Sequence, residues 1–170
     1  ARAFARQNKI DKTIIDSKNP KLGVITTGKS YLDVRQALED LGITESKADK
    51  IGLRLYKVGM PWPLEPQGIE EFSQGLKEIL VIEEKRPIIE GQLKEHLYNH
   101  APKNRPYVVG KYDEKGQFLQ PAAGELNPSL IAKVIASRIL QFSEDTAIRE
   151  KLKFMQDKEN GLTKSVTDFA

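Results

Sequence analysis

Residues 22–27 read Leu-Gly-Val-Ile-Thr-Thr and are followed at once by Gly28-Lys29-Ser30. Four of the six, Val24 to Thr27, are β-branched, a composition that favours extended backbone. Asn19-Pro20 marks a turn just before this run, and apolar residues recur at helical spacing from Ser30 until Gly42. The pattern therefore predicts a buried strand, a turn and a helix, with Ser30 and Asp33 resembling a helix capping box.

Four other segments have the composition of strands, and helical patterns separate most of them. The most informative is Ile79-Leu80-Val81-Ile82, a fully apolar run typical of the central strand of a parallel sheet. Strands alternating with helices predict an open, mostly parallel sheet with helices on both faces. The remaining predicted strands are residues 13–16, 51–58 and 106–109, and the last helix is predicted to close at Asn160-Gly161.

Composition excludes several classes of protein. The 170 residues include 27 basic and 24 acidic ones spread along the chain, without the basic cluster expected of a nucleic-acid-binding protein. No apolar run approaches the roughly 18 residues that a membrane span requires. The absence of cysteine excludes disulfides and iron–sulfur ligation by this chain, and is compatible with the cytoplasm. Because the first methionine is Met60, we take the chain as a piece of a longer protein.

The carboxyl ends of parallel strands are where ligands or partners gather in such sheets. Three predicted loops lie there: Gly28-Lys29-Ser30, the proline-rich segment 59–66 that contains Met60-Pro61-Trp62, and the segment 83–87 that begins with Glu83-Glu84. We expect function to lie in these loops, and the resemblance given below makes these eight residues the candidate contacts with neighbouring domains.

Gly23 to Ser30 also satisfies the phosphate-loop pattern G-x-x-x-x-G-K-S, which makes a small nucleotide-binding protein the alternative interpretation. A phosphate loop needs irregular backbone with amides turned inward, whereas the four intervening residues are β-branched. The required strand should also precede Gly23, where the sequence instead has a turn. A chance match is therefore favoured.

Individual side chains leave alternatives open. Lys29 is either solvated beside a helix start or a contact for an anion or partner. Trp62, the single tryptophan, either covers the core or inserts into a partner. Glu83 and Glu84 form either a salt-bridged strand exit or a source of an acid or base.

His96 and His100 are four residues apart on a predicted helix, a spacing that can present two imidazoles to zinc. No clear third ligand accompanies them, and histidine is also favoured in the last turn of a helix by the helix dipole. A structural or solvated role is the favoured interpretation.

Several blocks together resemble the transketolase C-terminal-like domain of indolepyruvate ferredoxin oxidoreductases, a family of 2-oxoacid oxidoreductases. They are residues 22–41, the segment Leu55-Tyr56-Lys57-Val58-Gly59-Met60-Pro61-Trp62-Pro63-Leu64, the segment Ile79-Leu80-Val81-Ile82-Glu83-Glu84-Lys85-Arg86-Pro87, and Pro121-Ala122-Ala123-Gly124-Glu125-Leu126. The resemblance implies a three-layer α/β/α sandwich with five strands in the order 1-3-2-4-5, the first antiparallel. It places an N-terminal linker or helix at 1–12, the α/β domain at 13–160 and a linker to a following domain at 161–170.

The same resemblance implies a non-catalytic structural module of an enzyme that oxidatively decarboxylates aryl 2-oxoacids to acyl-coenzyme A. In such an enzyme thiamine diphosphate, magnesium and iron–sulfur clusters lie outside this domain, and ferredoxin accepts the electrons. The implied partners are the pyrimidine-binding and pyrophosphate-binding domains of the same polypeptide and a second copy of the parent chain. No catalytic, cofactor-binding or metal-binding residue is transferred to this sequence.

Overall fold

The computed structural model describes residues 1–101, 104–122 and 125–167, and gives residues 159–167 as helix backbone. Residues 123–124 of the fourth resembling block and residues 168–170 of the predicted C-terminal linker lie outside the described residues. The strands are β1 (Lys12–Ile15), β2 (Leu22–Thr27), β3 (Leu53–Val58), β4 (Glu78–Ile82) and β5 (Tyr107–Val109). The helices are α1 (Arg2–Gln7), α2 (Gly28–Asp40), α3 (Glu45–Ile51), α4 (Pro66–Ser73), α5 (Ile88–Leu97), α6 (Pro128–Ile139) and α7 (Thr146–Thr167).

The five strands form one sheet in the order β1-β3-β2-β4-β5. Strand β1 pairs with β3 in the antiparallel sense, and the pairs β2–β3, β2–β4 and β4–β5 are parallel. The order and the antiparallel first strand are those implied by the resemblance. Strand β2 lies at the centre of the sheet, because β3 and β4 are hydrogen-bonded to its two edges. Its first five residues are buried.

Alternate residues of β2, β3, β4 and β5 point to two separate cores, because successive side chains of a strand lie on opposite faces of the sheet. One core contains Leu22, Val24 and Leu80 and is covered by α2, α3, α6 and α7. The other contains Ile25 and Val81 and is covered by α4 and α5. The predicted three-layer α/β/α sandwich is therefore confirmed.

Gly23 is required by packing on the second face of the sheet. A Cβ atom added at this position would lie 2.5 Å from Cδ1 of Leu76 and 2.7 Å from Cζ of Phe72. These distances are too short for real contacts, so any larger residue would push α4 and the turn after it off the sheet. The first glycine of the phosphate-loop pattern thus has a structural explanation that needs no ligand.

One ion pair is enclosed beneath α6. The guanidinium of Arg138 donates from Nε to Oε1 of Glu78 at 2.7 Å, from Nη2 to Oε2 of the same carboxylate, and from Nη2 to Glu114 at 2.8 Å. The side chains of Arg138 and Glu78 are each only 3% exposed. This contact joins the first residue of β4 to α6 and to the loop that follows β5.

Some predicted element boundaries are wrong. Helix α2 begins at Gly28 with Thr27 as its N-cap, so Ser30 and Asp33 do not form the predicted capping box. Helix α3 has seven residues where one helical turn was expected. Helix α7 continues through Gly161 to Thr167, because a single glycine costs a long helix only about 1 kcal/mol. The predicted helix end at Asn160-Gly161 is therefore wrong, whereas the domain boundary between 160 and 161 stays a prediction.

At the other end of the chain, residues 1–12 contain α1 and the first residue of β1. Within the described residues, no helix combines the length and the apolar composition needed to cross a bilayer.

Candidate functional site

The carboxyl ends of β3, β2 and β4 lie side by side, as the strand order requires. Thr27, the last residue of β2, donates its hydroxyl to the carbonyl of Val58 at 2.8 Å and so ties the ends of two strands together. The loops that begin at Gly28, Gly59 and Glu83 therefore leave the sheet at a common edge. We call this surface the carboxyl edge.

Glu83 is built into the fold. Its carboxylate accepts hydrogen bonds from the amides of Ile88 at 3.1 Å, Ile89 at 2.9 Å and Glu90 at 3.0 Å, which are the first amides of α5. Burial raises the pKa of Glu83, and these three amides partly oppose that shift. With 4% of its surface exposed, the residue caps a helix. The interdomain contact of Glu83 stays a prediction, and this burial does not support it.

Lys111, which sequence reasoning missed, closes the same corner. Its ammonium donates to the carbonyl of Glu83 at 2.5 Å and to the carbonyl of Pro121 at 3.2 Å, and the residue is 4% exposed. Burial lowers the pKa of Lys111, while the carboxylates of Glu83, Glu90 and Glu84 act in the opposite direction. A lysine just after a short strand carries no sequence signal that distinguishes it from a solvated one.

Lys29 is surrounded by carboxylates. Its Nζ lies 2.8 Å from Glu125, 3.2 Å from Asp33 and 3.6 Å from Glu84, and half of the side chain is exposed. Hydrogen bonds to Glu125 and Asp33 raise the pKa of Lys29. The cation is thus neutralised by protein groups, an arrangement that does not favour an anion. One of the two interpretations of Glu83 and Glu84 is a salt-bridged strand exit. Among the described residues, the ion pair between Glu84 and Lys29 is the contact that agrees with it.

The phosphate-loop pattern is a strand followed by a helix. Residues Leu22 to Thr27 pair with β3, and Leu22 to Thr26 also pair with β4. Gly28 adopts φ +55° where the strand turns into α2, a conformation that glycine tolerates best. Ser30 is 2% exposed and faces the interior. The alternative interpretation as a phosphate loop is therefore wrong. The interdomain contact of Ser30 stays a prediction that its burial does not support.

Trp62 lies on a well-ordered loop, residues 59–65, that we call the Trp62 loop. Asp11 accepts hydrogen bonds from the amides of Gly59 at 2.7 Å and Met60 at 3.1 Å. Gln92 of α5 accepts from the amide of Leu64 and donates to the carbonyl of Pro61, each at 2.8 Å. The indole itself is 70% exposed, so it does not cover the core.

The two histidines do not share a helical face. Helix α5 ends at Leu97, and the amide of His100 bonds to the carbonyl of Leu97 in the turn beyond. Across the described ranges, no group of three or more histidine, cysteine or acidic side chains is arranged to hold a metal ion.

Six of the eight predicted contact residues thus lie at the carboxyl edge with part of their surface free. They are Gly28, Lys29, Met60, Pro61, Trp62 and Glu84. Their role as interdomain contacts stays a prediction.

Comparison with known families gives one match that spans most of the chain. The model of the indolepyruvate ferredoxin oxidoreductase middle domain matches residues 11–165. Two solved structures share part of the architecture at low identity. One is a 2-oxoglutarate:ferredoxin oxidoreductase from Magnetococcus marinus, with 18% identity and a TM-score of 0.49 over 80% of this chain and 22% of that chain. The other is a split-gene transketolase, with 12% identity and a TM-score of 0.49 over 79% of this chain and 42% of that chain.

Curated relatives agree with the family match. Subunit IorA of indolepyruvate oxidoreductase from Pyrococcus abyssi is 36% identical over 77 residues, which are 45% of this chain and 11% of that protein. The corresponding subunit from Methanothermobacter thermautotrophicus is 32% identical over 92 residues, 54% of this chain and 14% of the relative. The chain thus spans only a small part of the length of these relatives. By its match over residues 11–165, the chain belongs to the family of indolepyruvate ferredoxin oxidoreductase middle domains.

Proposed function

We propose that the chain is a non-catalytic, interdomain module of a thiamine-diphosphate-dependent indolepyruvate ferredoxin oxidoreductase. The full-length enzyme would decarboxylate aryl 2-oxoacids oxidatively, form the acyl-coenzyme A and pass electrons to ferredoxin. The observation that carries the proposal is the family match over residues 11–165, in a chain that covers only 11% to 17% of the length of the curated relatives it matches. A middle domain of a long enzyme is joined on both sides to other segments, which are candidates to pack against it.

The chemistry of the carboxyl edge supports a structural role. Catalytic acids and bases need a proton-exchanging atom that a substrate can reach. The Glu83 carboxylate is instead occupied by three amides of α5, and the Lys111 ammonium is occupied by two carbonyls. Removing either group from its partners would leave buried polar atoms unsatisfied.

The cofactors would be held elsewhere in the full-length enzyme. The diphosphate of thiamine diphosphate requires cationic or amide groups that are free to bind it. At the start of α2, however, three carboxylates already surround Lys29. The sequence contains no cysteine, so the iron–sulfur clusters would take their thiolate ligands from other segments. The start of α2 therefore does not fit the diphosphate, and a chain without cysteine does not fit thiolate ligation of the clusters.

The partners that follow from this role are the pyrimidine-binding and pyrophosphate-binding domains of the same polypeptide. The parent enzyme would act in the cytoplasm as a homodimer, with ferredoxin as its electron acceptor. The six partly exposed residues of the carboxyl edge are our candidates for the interdomain contacts.

Titration calorimetry tests the non-catalytic assignment. We expect the 170-residue chain to release no binding heat with thiamine diphosphate and magnesium, whereas the full-length enzyme binds both. Tight, saturable binding by the chain alone would contradict the proposal. A parallel assay of ferredoxin reduction by the full-length enzyme with indolepyruvate and coenzyme A tests the reaction, and no reduction would contradict that part.

A further inference from the structure

The Trp62 loop presents an aromatic side chain in a fixed position. Asp11 holds its first two amides, and Gln92, itself 6% exposed, holds the carbonyl of Pro61 and the amide of Leu64. The loop is therefore ordered by the domain itself before any partner arrives. A preorganised loop loses less conformational entropy on binding than a mobile one, which favours its use as a contact surface.

A second apolar side chain lies beside this loop. The Gln92 amide that binds the carbonyl of Pro61 also donates to the carbonyl of Ile88 at 3.0 Å, so the two backbone segments are adjacent. Ile88 is 51% exposed, and Pro61 and Pro87 are exposed as well. We call Pro61, Trp62, Pro87 and Ile88 the anchor patch. Exposed apolar patches that are rimmed by polar residues mark interaction surfaces.

The anchor patch is bordered by cations. Arg86 is joined to it directly, because its carbonyl accepts from the amide of Ile88 at 2.9 Å, and Lys85 precedes Arg86 in the same exposed turn. No ion pair involves either residue within the part of the chain that the structure describes. The nearest acids in sequence are engaged elsewhere, Glu83 with α5 and Glu84 beside Lys29. The border of the patch is therefore positively charged.

We infer that the anchor patch inserts Trp62 into an apolar pocket of another part of the same polypeptide, and that carboxylates at the rim of that pocket pair with Lys85 and Arg86. The inference rests on the proposed interdomain function and deepens it. Tryptophan and arginine are enriched among the residues that carry most of the binding energy of protein interfaces, and the rim of an interface is polar. The partner belongs to the same chain because this segment is the middle domain of a much longer protein.

Hydroxyl-radical footprinting of the full-length oxidoreductase, read by mass spectrometry, measures how accessible each ring is. We expect the rate of Trp62 modification to be lower by a factor of about ten or more in the native enzyme than in the denatured one. A factor of this size means that the indole is enclosed in most of the molecules at any moment. The double change Lys85→Glu and Arg86→Glu should restore most of the lost reactivity. The matched control, Lys50→Glu and Lys153→Glu on other exposed surfaces, should leave Trp62 protected.

Equal modification of Trp62 in the native and denatured enzyme would overturn the inference. So would a control pair that exposes Trp62 as much as the change at 85 and 86. Tyr112 and Phe118 are exposed rings on the loop after β5. Their modification rates show whether a negative result for Trp62 rejects only the anchor patch or also the proposed function. Protection of these two rings without Trp62 would keep the interdomain role and reject the anchor patch. Reactivity of all three rings would reject both.

Discussion

The ammonium of Lys111 donates a hydrogen bond of 2.5 Å to the main-chain carbonyl of Glu83, and this contact joins the loop after β5 to the end of β4. The carboxylate of the same glutamate caps α5. Three elements therefore meet at one buried pair of residues. The arrangement ties the loop after β5 and the start of α5 to the end of β4.

Replacement of Lys111 by methionine should destabilise the domain. The carbonyls of Glu83 and Pro121 would lose their donor while staying largely buried, at a cost of about 1–3 kcal/mol in the free energy of unfolding. Urea denaturation followed by circular dichroism measures the change. Lys115→Met, at an exposed position of the same loop, should shift stability by no more than about 0.5 kcal/mol. Equal effects of the two changes would contradict the role of Lys111.

Removal of Arg138 should have a larger effect. The change Arg138→Met leaves Glu78 as a buried, unpaired carboxylate, which costs about 3–5 kcal/mol. Adding Glu78→Leu to the same protein should recover most of the loss, because the unpaired charge is removed. The comparison is made by denaturant titration, with Arg149→Met at an exposed position as the control. A double variant no more stable than Arg138→Met would show that the buried charge is not the cause.

The contact between α1 and the start of α4 should make stability depend on pH. Burial raises the pKa of Glu65, but hydrogen bonds from Arg6 and from the amides of Gly68 and Gln67 outweigh it and leave the pKa below its usual value. Because the folded protein holds this carboxylate ionised, the contact stabilises above the ordinary glutamate pKa. The stabilisation is lost as pH falls through the lowered pKa.

The variant Arg6→Ala tests this dependence. The difference in unfolding free energy between wild type and variant should be largest near neutral pH and should shrink as the solution is acidified. Thermal or urea unfolding at a series of pH values measures it. A difference that stays constant across this range would contradict the account.

Lys85 is held in a left-handed backbone conformation, with φ +56°. Glycine adopts this conformation without the steric cost of a Cβ atom, so Lys85→Gly should stabilise the domain by about 0.5–1 kcal/mol. Arg86→Gly, at a neighbouring exposed position without positive φ, should be neutral or destabilising. The melting temperatures of the two variants measure the effect. A lower melting temperature of Lys85→Gly than of the wild type would show that the left-handed conformation of Lys85 does not destabilise the domain. Strain at an exposed lysine is consistent with a role for this turn outside the isolated domain.

The sequence predicted the sheet well because its signals are local. Four β-branched residues in succession set β2, and Asn127-Pro128 set the start of α6, where the Asn127 side chain accepts from the amide of Leu130. Strand order and the antiparallel first strand came from the family resemblance, because pairing between distant segments leaves no local pattern.

Burial of single polar side chains was not predictable in the same way. Ser30 and Glu83 flank turns in the sequence and looked exposed, yet tertiary packing encloses both. Lys111 has the sequence context of any solvated lysine, and only the position of two distant carbonyls gives it a role. For Trp62 the sequence left two interpretations, and the 70% exposure of the indole excludes core coverage.

We propose that this domain supports the enzyme without taking part in its chemistry. A structure of the full-length oxidoreductase with thiamine diphosphate and magnesium bound tests it most directly. We expect every cofactor contact to come from other domains, with the carboxyl edge of this domain covered by one of them. Thiamine diphosphate held by side chains of this domain, or a carboxyl edge open to solvent, would contradict the claim.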